Sequence, residues 1–286
     1  MVEAGVALAA PVIVIWAWRR GWLRSANLAG RWLSPLPWAG LLFAALALYL
    51  LSGLVGLLMG VVATALLPAD AFAAKSLASM ATFTLAVGAA VLTLSLVAPA
   101  SAAPRGNAPP GSTPTAADPL GAFRLRPRHL PRGVLCFLLA APVVVAVSLL
   151  AVLAARLVTG AAPEPVAHDL LRQILDHRAS PWAWGLVAAA VLGAPVVEEI
   201  AYRALFQSAI LEATGRPWIA IVITSILFAA AHLSPGAGVP VHALATLAAL
   251  SVCMGVAYER TRSLIVPISM HVCFNAANVL LALLTR

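Results

Sequence analysis

Residues 38–67, WAGLLFAALALYLLSGLVGLLMGVVATALL, form an uninterrupted apolar stretch that contains no charged side chain. The hydrocarbon core of a membrane is about 30 Å thick, and roughly 20 apolar residues in α-helical form cross it. A helix satisfies its backbone hydrogen bonds internally, whereas an open chain or a sheet edge in lipid leaves them unsatisfied. The stretch therefore predicts a transmembrane helix.

The composition of the whole chain agrees with this prediction. Of 286 residues, 62% are hydrophobic and only 10% are charged, and the mean hydropathy is +0.98. Such values exclude a soluble globular protein. Other apolar segments reach or approach the length of a span, and together with the first they lie at residues 4–18, 38–67, 77–99, 133–156, 182–213, 217–234, 240–258 and 264–285. The predicted fold class is all-α, a polytopic transmembrane helical bundle of about eight spans.

The net charge of +8 is concentrated in the breaks between the apolar segments. Arginines are concentrated in the first break, between residues 19 and 31, and in the third, between residues 105 and 132. Because positive charge marks the cytoplasmic side of a membrane protein, both breaks are predicted to be cytoplasmic. The expected partner of the apolar segments is membrane lipid, and no nucleic acid partner is predicted. The predominance of arginine over lysine and the high alanine content are typical of a bacterial gene. The predicted localisation is the bacterial inner (plasma) membrane.

The chain is predicted to have three parts. Residues 1–99 form three leading transmembrane helices, and residues 100–132 form a proline-rich cytoplasmic linker. Residues 133–286 form a five-helix segment. The cysteines at 136, 253 and 273 lie in apolar runs without metal-binding spacing, so they predict neither disulfides nor a thiolate zinc site. The sequence carries no signal for an oligomeric state.

The fifth predicted span carries Glu198, Glu199 and Arg203 in an otherwise apolar helix. A charged side chain at such a position costs about 2.5 kcal/mol or more by insertion scales, so it needs a partner or a function. Glu199 and Arg203 are four residues apart and share a helix face, which predicts a structural ion pair. Glu198 points about 100° away and has no local counter-ion, which favours a role as a general base.

Two later spans carry further polar residues, His232 in the sixth and His271 with Asn275 in the eighth. Glu198 lies eighteen residues before Arg216 in the intervening turn, and His232 lies sixteen residues after it. In an antiparallel hairpin the two side chains therefore lie at nearly the same depth, about 25 Å from the turn. His271 lies about ten residues, or roughly 15 Å, beyond the turn at residues 260–262, so its estimated depth differs from that of Glu198 and His232. The depths agree if the end of the fifth span projects from the bilayer.

These residues resemble a known family. EExxxR at Glu198, Glu199 and Arg203, FxxxH at Phe228 and His232, and HxxxN at His271 and Asn275 are similar to the three motifs of CPBP intramembrane proteases. That group includes the type II CAAX prenyl endopeptidases and bacteriocin-processing or immunity proteins. The resemblance covers residues 182–285 and implies an endopeptidase that acts on a membrane-associated peptide or protein.

The resemblance implies roles for the motif residues. Glu198 would be the general base, His232 and His271 would orient water or bind a metal, and Asn275 would donate to the tetrahedral oxyanion. Phe228 is expected to pack within the motif. Glu198, His232 and His271 could hold a catalytic zinc, and the family is generally classed with metalloproteases, but the chain has no HExxH motif. Zinc-bound water and water held directly by Glu198 both remain open.

Two other functions remain open. Buried glutamate and histidine side chains also carry ions or protons in membrane transporters. A non-catalytic bacteriocin-immunity or scaffold protein could retain the same fold. Other protease chemistries are not supported, because every aspartate lies outside the firmly predicted spans and no GxSxG-like elbow is present.

Overall fold

A computed structural model describes residues 2–28, 36–97, 125–160, 169–233 and 241–284 of the chain. The described residues form helices and contain no strand, which confirms the all-α class. The helices are α1 (Val2–Ala7), α2 (Ala10–Arg19), α3 (Ser25–Leu28), α4 (Trp38–Leu66), α5 (Ala71–Val97), α6 (Leu130–Thr159), α7 (Asp169–Asp176), α8 (Pro181–Thr214), α9 (Pro217–Ala230), α10 (Val241–Thr261) and α11 (Ile265–Leu284). Residues 100–124 of the predicted linker lie outside the described residues.

Six of the described helices, α4, α5, α6, α8, α10 and α11, are long and apolar enough to cross a membrane. The chain is therefore a multi-pass helical membrane protein. Two of the eight expected spans form shorter helices. Pro11 lies at the start of α2, so residues 4–18 are divided between α1 and α2. Helix α9 has 14 residues, which extend about 21 Å and fall short of a 30 Å core.

The boundaries of two helices follow from local chemistry. Helix α5 begins several residues before the predicted start at residue 77, because the Asp70 carboxylate accepts a hydrogen bond from the Ala73 backbone N–H at 2.8 Å. Helix α8 ends at Gly215, which adopts a left-handed conformation with φ 64°. Pro217 then starts α9. This stop and start places α9 against the end of α8.

Helix α8 is α-helical except for two π-helical segments, Ala189–Gly193 and Ile200–Gln207. They flank Glu198 and Glu199, which lie in the intervening α-helical turn, Ala194–Glu199. Single π-helical turns inside α-helices occur frequently at functional sites, because they change the direction of side chains and release backbone groups. The two motif glutamates therefore lie on the most irregular part of the longest motif helix.

Helix packing divides the molecule into an outer pair and a central group. Helices α4 and α5 pack against each other along their length, and α6 packs against α10 and α11. Helix α8 lies between these groups, since its first half contacts α5 and its second half contacts α4 and α9. The largest buried cluster centres on α8, α10 and α11 and includes Phe228 and Tyr258.

The structure also joins the first break between apolar segments to the ends of two later helices. The Arg260 guanidinium lies 5.3 Å from the centre of the Trp22 ring, and its Nη1 donates to the Asn27 carbonyl at 3.3 Å. The indole nitrogen of Trp218 donates to the Leu23 carbonyl at 3.0 Å. These contacts place the segment between α2 and α3 beside the start of α9 and the end of α10.

Candidate active site

The two adjacent glutamates of α8 occupy different environments. Glu199 has no exposed surface, and each of its carboxylate oxygens has a partner. Oε2 accepts a hydrogen bond from Arg203 Nε at 2.8 Å, and Oε1 lies 3.0 Å from His271 Nδ1 on α11. Hydrogen bonds between ionised groups are short and strong, and a buried carboxylate needs such partners. Glu199 is therefore held on both sides.

Glu198 is less constrained. Its side chain is 28% exposed, and its Oε2 atom has no hydrogen-bond partner among the described residues. The Nε2 atom of His271 lies 3.9 Å from that oxygen. This distance exceeds a hydrogen bond, so the carboxylate remains available to a third group. The Glu198 side chain is thus partly exposed, while its Oε2 atom is buried and retains unused acceptor capacity, a combination that suits a general base.

His271 lies between the two carboxylates, with its side chain 5% exposed. An ionised carboxylate only accepts hydrogen bonds, so the proton between His271 and Glu199 belongs to Nδ1. Nε2 is then the nitrogen that faces Glu198. Fixing one ring nitrogen in this way sets the role of the other, as in other sites where a carboxylate orients a histidine.

His232 lies just after α9 and is partly buried. Its Nδ1 is 2.8 Å from the Phe228 carbonyl, which can only accept, so Nδ1 donates and Nε2 is free to act elsewhere. The fully buried Phe228 ring lies 5.1 Å from the His232 ring and 5.6 Å from the His271 ring. The two histidines thus pack on one phenylalanine, although His232 makes no hydrogen bond to Glu198 in the described part of the chain.

Phe228 also contacts the Glu199 side of the site. Its ring meets Tyr202 edge to face at 5.2 Å, and the Arg203 guanidinium lies 5.6 Å from the ring centre. An arginine at this distance from an aromatic face gains a cation–π attraction. Phe228 therefore packs simultaneously against side chains from all three motifs.

Asn275 lies one turn after His271 on α11, and its Nδ2 donates to the Ala190 carbonyl at 2.8 Å. The first π-helical segment explains why that carbonyl is available. The Ala194 N–H bonds to Ala189 instead of Ala190, and the next residue, Pro195, has no N–H. Asn275 satisfies the released carbonyl and joins α11 to α8. The amide nitrogen carries a second hydrogen, which can serve another acceptor.

Sequence reasoning did not identify every polar residue that contacts this cluster. Arg203 Nη2 donates to Ser251 Oγ on α10 at 3.0 Å, and both side chains are fully buried. One turn further along α8, Gln207 donates to Glu259 on α10. A signal was present, because Ser251 and Gly255 in the seventh predicted span and Glu259, one residue beyond its end, recur every four residues on one helix face.

The described residues do not present a metal-binding arrangement of the kind considered from the sequence. Within them, no group of three or more His, Cys, Asp or Glu side chains is placed to hold a metal ion. Glu198 and His271 approach each other, but His232 does not complete a three-donor set with them. The donor geometry of this structure does not fit a zinc site, and no catalytic step is assigned to a metal.

The fold and the cluster define a multi-pass membrane protein in which Glu198 and Glu199 meet His271, while His232 and Asn275 join the same region through Phe228 and the Ala190 carbonyl. Residues 180–277 match the family described as "Type II CAAX prenyl endopeptidase Rce1-like". The match covers less than half of the chain and spans all three motifs. It supports the CPBP intramembrane protease family that the motifs resemble. No curated protein and no solved structure matches the chain.

Proposed function

We propose that this protein is an intramembrane endopeptidase in which Glu198 activates water to hydrolyse a peptide bond. The observation that carries the proposal is the contrast between the two glutamates. Glu199 uses both oxygens to hold Arg203 and His271, whereas the buried Oε2 atom of Glu198 has no hydrogen-bond partner among the described residues and lies 3.9 Å from His271 Nε2. A carboxylate with this freedom next to an oriented histidine suits proton transfer to and from water.

In the proposed reaction, Glu198 accepts a proton from water while the water oxygen attacks the scissile carbonyl carbon. His271 Nε2 and His232 Nε2, whose Nδ1 atoms carry the ring protons, are the proposed acceptors that orient the water. The resulting tetrahedral intermediate carries a negative oxygen, and the second hydrogen of the Asn275 amide is the proposed donor to it. Glu198 then delivers its proton to the departing amine as the carbon–nitrogen bond breaks. The products are a carboxylic acid and an amine, and Glu198 returns to its ionised form.

The proposed substrate is a membrane-associated peptide or protein that is cut near its end. A site surrounded by apolar helices selects substrates that already partition into lipid. Because the predicted host is bacterial, a prenylated CAAX protein is not taken over as the natural substrate. A prenylated carboxyl-terminal peptide and a bacteriocin-like peptide are both suitable probes.

The test is cleavage of such peptides by purified protein, with Glu198→Gln compared with Glu212→Gln on the same helix. General base catalysis contributes roughly 10²- to 10⁴-fold, so Glu198→Gln should remain folded and lose activity by about that factor. Glu212→Gln makes the same chemical change away from the motif residues and should cut at the wild-type rate.

Wild-type cleavage by Glu198→Gln would refute the assignment of the base. The transporter alternative predicts that neither form cuts any peptide and that Glu198→Gln abolishes pH-driven flux in liposomes. The zinc alternative is tested separately by the metal content of chelator-free protein, and it predicts stoichiometric zinc that is lost in His232→Ala and in His271→Ala.

A further inference from the structure

We propose that Ser251 is a positioning residue for the reaction, acting on His271 through Arg203 and Glu199. This inference rests on the proposed function and extends it to a helix, α10, that carries none of the three motifs. Ser251 is fully buried, and its hydroxyl oxygen accepts a hydrogen bond from Arg203 Nη2 at 3.0 Å. It lies too far along the contact chain to act on substrate itself.

The contact chain joins four side chains from three helices. From α11, His271 Nδ1 donates to Glu199 on α8 at 3.0 Å, and the other Glu199 oxygen accepts from Arg203 Nε at 2.8 Å. Arg203 then donates to Ser251 on α10. All four side chains are at most 5% exposed, so water competes little for these hydrogen bonds.

Ser251 determines how the Arg203 guanidinium is oriented. Arg203 Nε is committed to Glu199 and Nη2 to Ser251, while Nη1 has no hydrogen-bond partner among the described residues. Only two hydrogen bonds therefore fix the plane of the guanidinium. If the Ser251 contact is lost, the hydrogen bond to Glu199 remains, and Arg203 and the Glu199 carboxylate can rotate about it. The His271 ring then moves as well, because its Nδ1 donates to Glu199.

A second set of contacts holds α10 at the matching depth. Gln207, one turn after Arg203, donates from Nε2 to Glu259 Oε1 at 2.7 Å and to the Gly255 carbonyl at 3.3 Å. The steps from Arg203 to Gln207 and from Ser251 to Gly255 are both four residues, so the two helices run parallel and their contacts repeat each turn.

Gly255 permits this close approach. A Cβ atom at that position would lie 3.0 Å from Gln207 Oε1 and 3.1 Å from Ile221 Cγ2, which is tighter than most real contacts. The absence of a side chain lets α10 approach α8 and keeps Ser251 level with Arg203.

Ser269 provides a matched control. It is a buried serine on α11, two residues before His271, and its hydroxyl donates to the Ile265 carbonyl of its own helix at 2.6 Å. Replacing Ser269 with alanine removes a buried hydroxyl without breaking a hydrogen bond between helices. A difference between Ser251→Ala and Ser269→Ala therefore reports the connection to Arg203.

The experiment measures kcat and KM for cleavage of a fluorogenic membrane peptide by wild type, Ser251→Ala and Ser269→Ala, with folded protein matched by size-exclusion chromatography. We expect Ser251→Ala to lower kcat about tenfold, the effect of losing one hydrogen bond to a charged group, with KM unchanged. Ser269→Ala should retain kcat within about twofold. If Ser251→Ala does not purify, Ser251→Cys, which has a similar volume but a weak acceptor, is judged by the same criterion.

Equal kcat values for the two alanine variants would overturn the proposal, and so would a rise in KM at unchanged kcat. A parallel loss of folded protein and kcat in both variants would indicate a purely structural serine and would also overturn it. The Glu198→Gln variant is measured in the same series. If Glu198→Gln cuts normally, the proposed function fails, whereas if Glu198→Gln is inactive and Ser251→Ala cuts normally, only the positioning role fails.

Discussion

Helices α4 and α5 place their polar groups differently from α8, α10 and α11, the three long helices that carry motif residues or contact them and are called the motif helices below. In the most apolar 18-residue windows of α4 and α5, 17% and 22% of residues are buried, compared with 39%, 44% and 39% in the motif helices. The hydroxyls of Ser52 and Thr84, among others, donate to the carbonyl four residues earlier on their own helix. In the motif helices, Arg203, Gln207, His271 and Asn275 instead bond to other helices or to distant segments of the fold.

The difference follows from what surrounds each group. A lipid-exposed hydroxyl has no water to bond and returns to its own backbone, so it carries no information about its neighbours. Glutamate and arginine side chains cannot satisfy themselves in this way, because a buried charge needs a charged or strongly polar partner. The outer helices are therefore specified mainly by hydrophobicity and the motif helices by particular pairs of residues.

The largest expected effect is that of Arg203→Ala, which leaves Glu199 buried without its strongest partner. Removing one member of a buried ion pair typically costs about 3–5 kcal/mol, so the variant should melt well below wild type in detergent or fail to accumulate. Lys75→Ala, which removes an exposed cation from α5, is the control and should change stability by less than about 0.5 kcal/mol.

Adding Glu199→Gln to Arg203→Ala should recover part of the lost stability, because no unpaired charge then remains. Unchanged melting of Arg203→Ala together with a full loss of cleavage would contradict a structural ion pair. In that case the polar contacts of the motif helices would serve catalysis and would not stabilise the fold more than those of α4 and α5 do.

A smaller effect is expected from adding one methyl group where α6 meets α11. A Cβ at Gly133 would collide with Ser269 Cβ and lie 2.8 Å from the Val266 carbonyl oxygen, and a backbone atom cannot move aside easily. Overpacking of this kind costs roughly 1–3 kcal/mol. Thermal unfolding of Gly133→Ala should show this loss.

Gly88→Ala on α5 is the matched substitution in the outer pair. A Cβ there meets no atom within 4 Å, so the change should be neutral or stabilise the helix by up to about 1 kcal/mol. Similar melting temperatures for Gly133→Ala and Gly88→Ala would show that the motif helices are no more tightly specified than the outer pair.

The smallest expected effect is that of Thr84→Val on α5. The Thr84 side chain is exposed and its hydroxyl donates to the Met80 carbonyl, so replacing it with a methyl group breaks no contact between helices. The free energy of unfolding should change by less than about 0.5 kcal/mol, measured by denaturant titration in mixed micelles. A loss above 1 kcal/mol would mean that the outer helices also depend on specific polar contacts.

Much of the fold could be predicted because its dominant signal is local. The stretch at 38–67 and helix α4 differ by one residue, and the fifth predicted span at 182–213 coincides closely with α8. The first predicted span is divided into two helices and the sixth is four residues longer than its helix, because apolar composition alone does not reveal a break before Pro11 or an end at Ala230. Hydropathy measures the tendency to enter lipid, not the length of the continuous helix.

The site was predictable to the extent that its contacts lie on one helix. Glu199 and Arg203 are separated by four residues, and helical geometry alone places them together. The 3.9 Å approach of His271 to Glu198 and the hydrogen bond from Asn275 to Ala190 join different helices. The second also depends on a π-helical turn, which arises from a local competition for backbone hydrogen bonds that residue spacing does not display.

The sequence alone determined that the chain crosses a membrane, that it does so as helices, and that charged residues occupy one of those helices, because the energetics of lipid act on each segment separately. The tertiary structure alone decided that both Glu199 oxygens have partners, whereas Glu198 Oε2 has none among the described residues. It also decided that Ser251 accepts a hydrogen bond from Arg203. Those outcomes depend on the rotation and depth of α8 relative to α10 and α11. Side-chain contacts between helices set these quantities, and no single segment contains them.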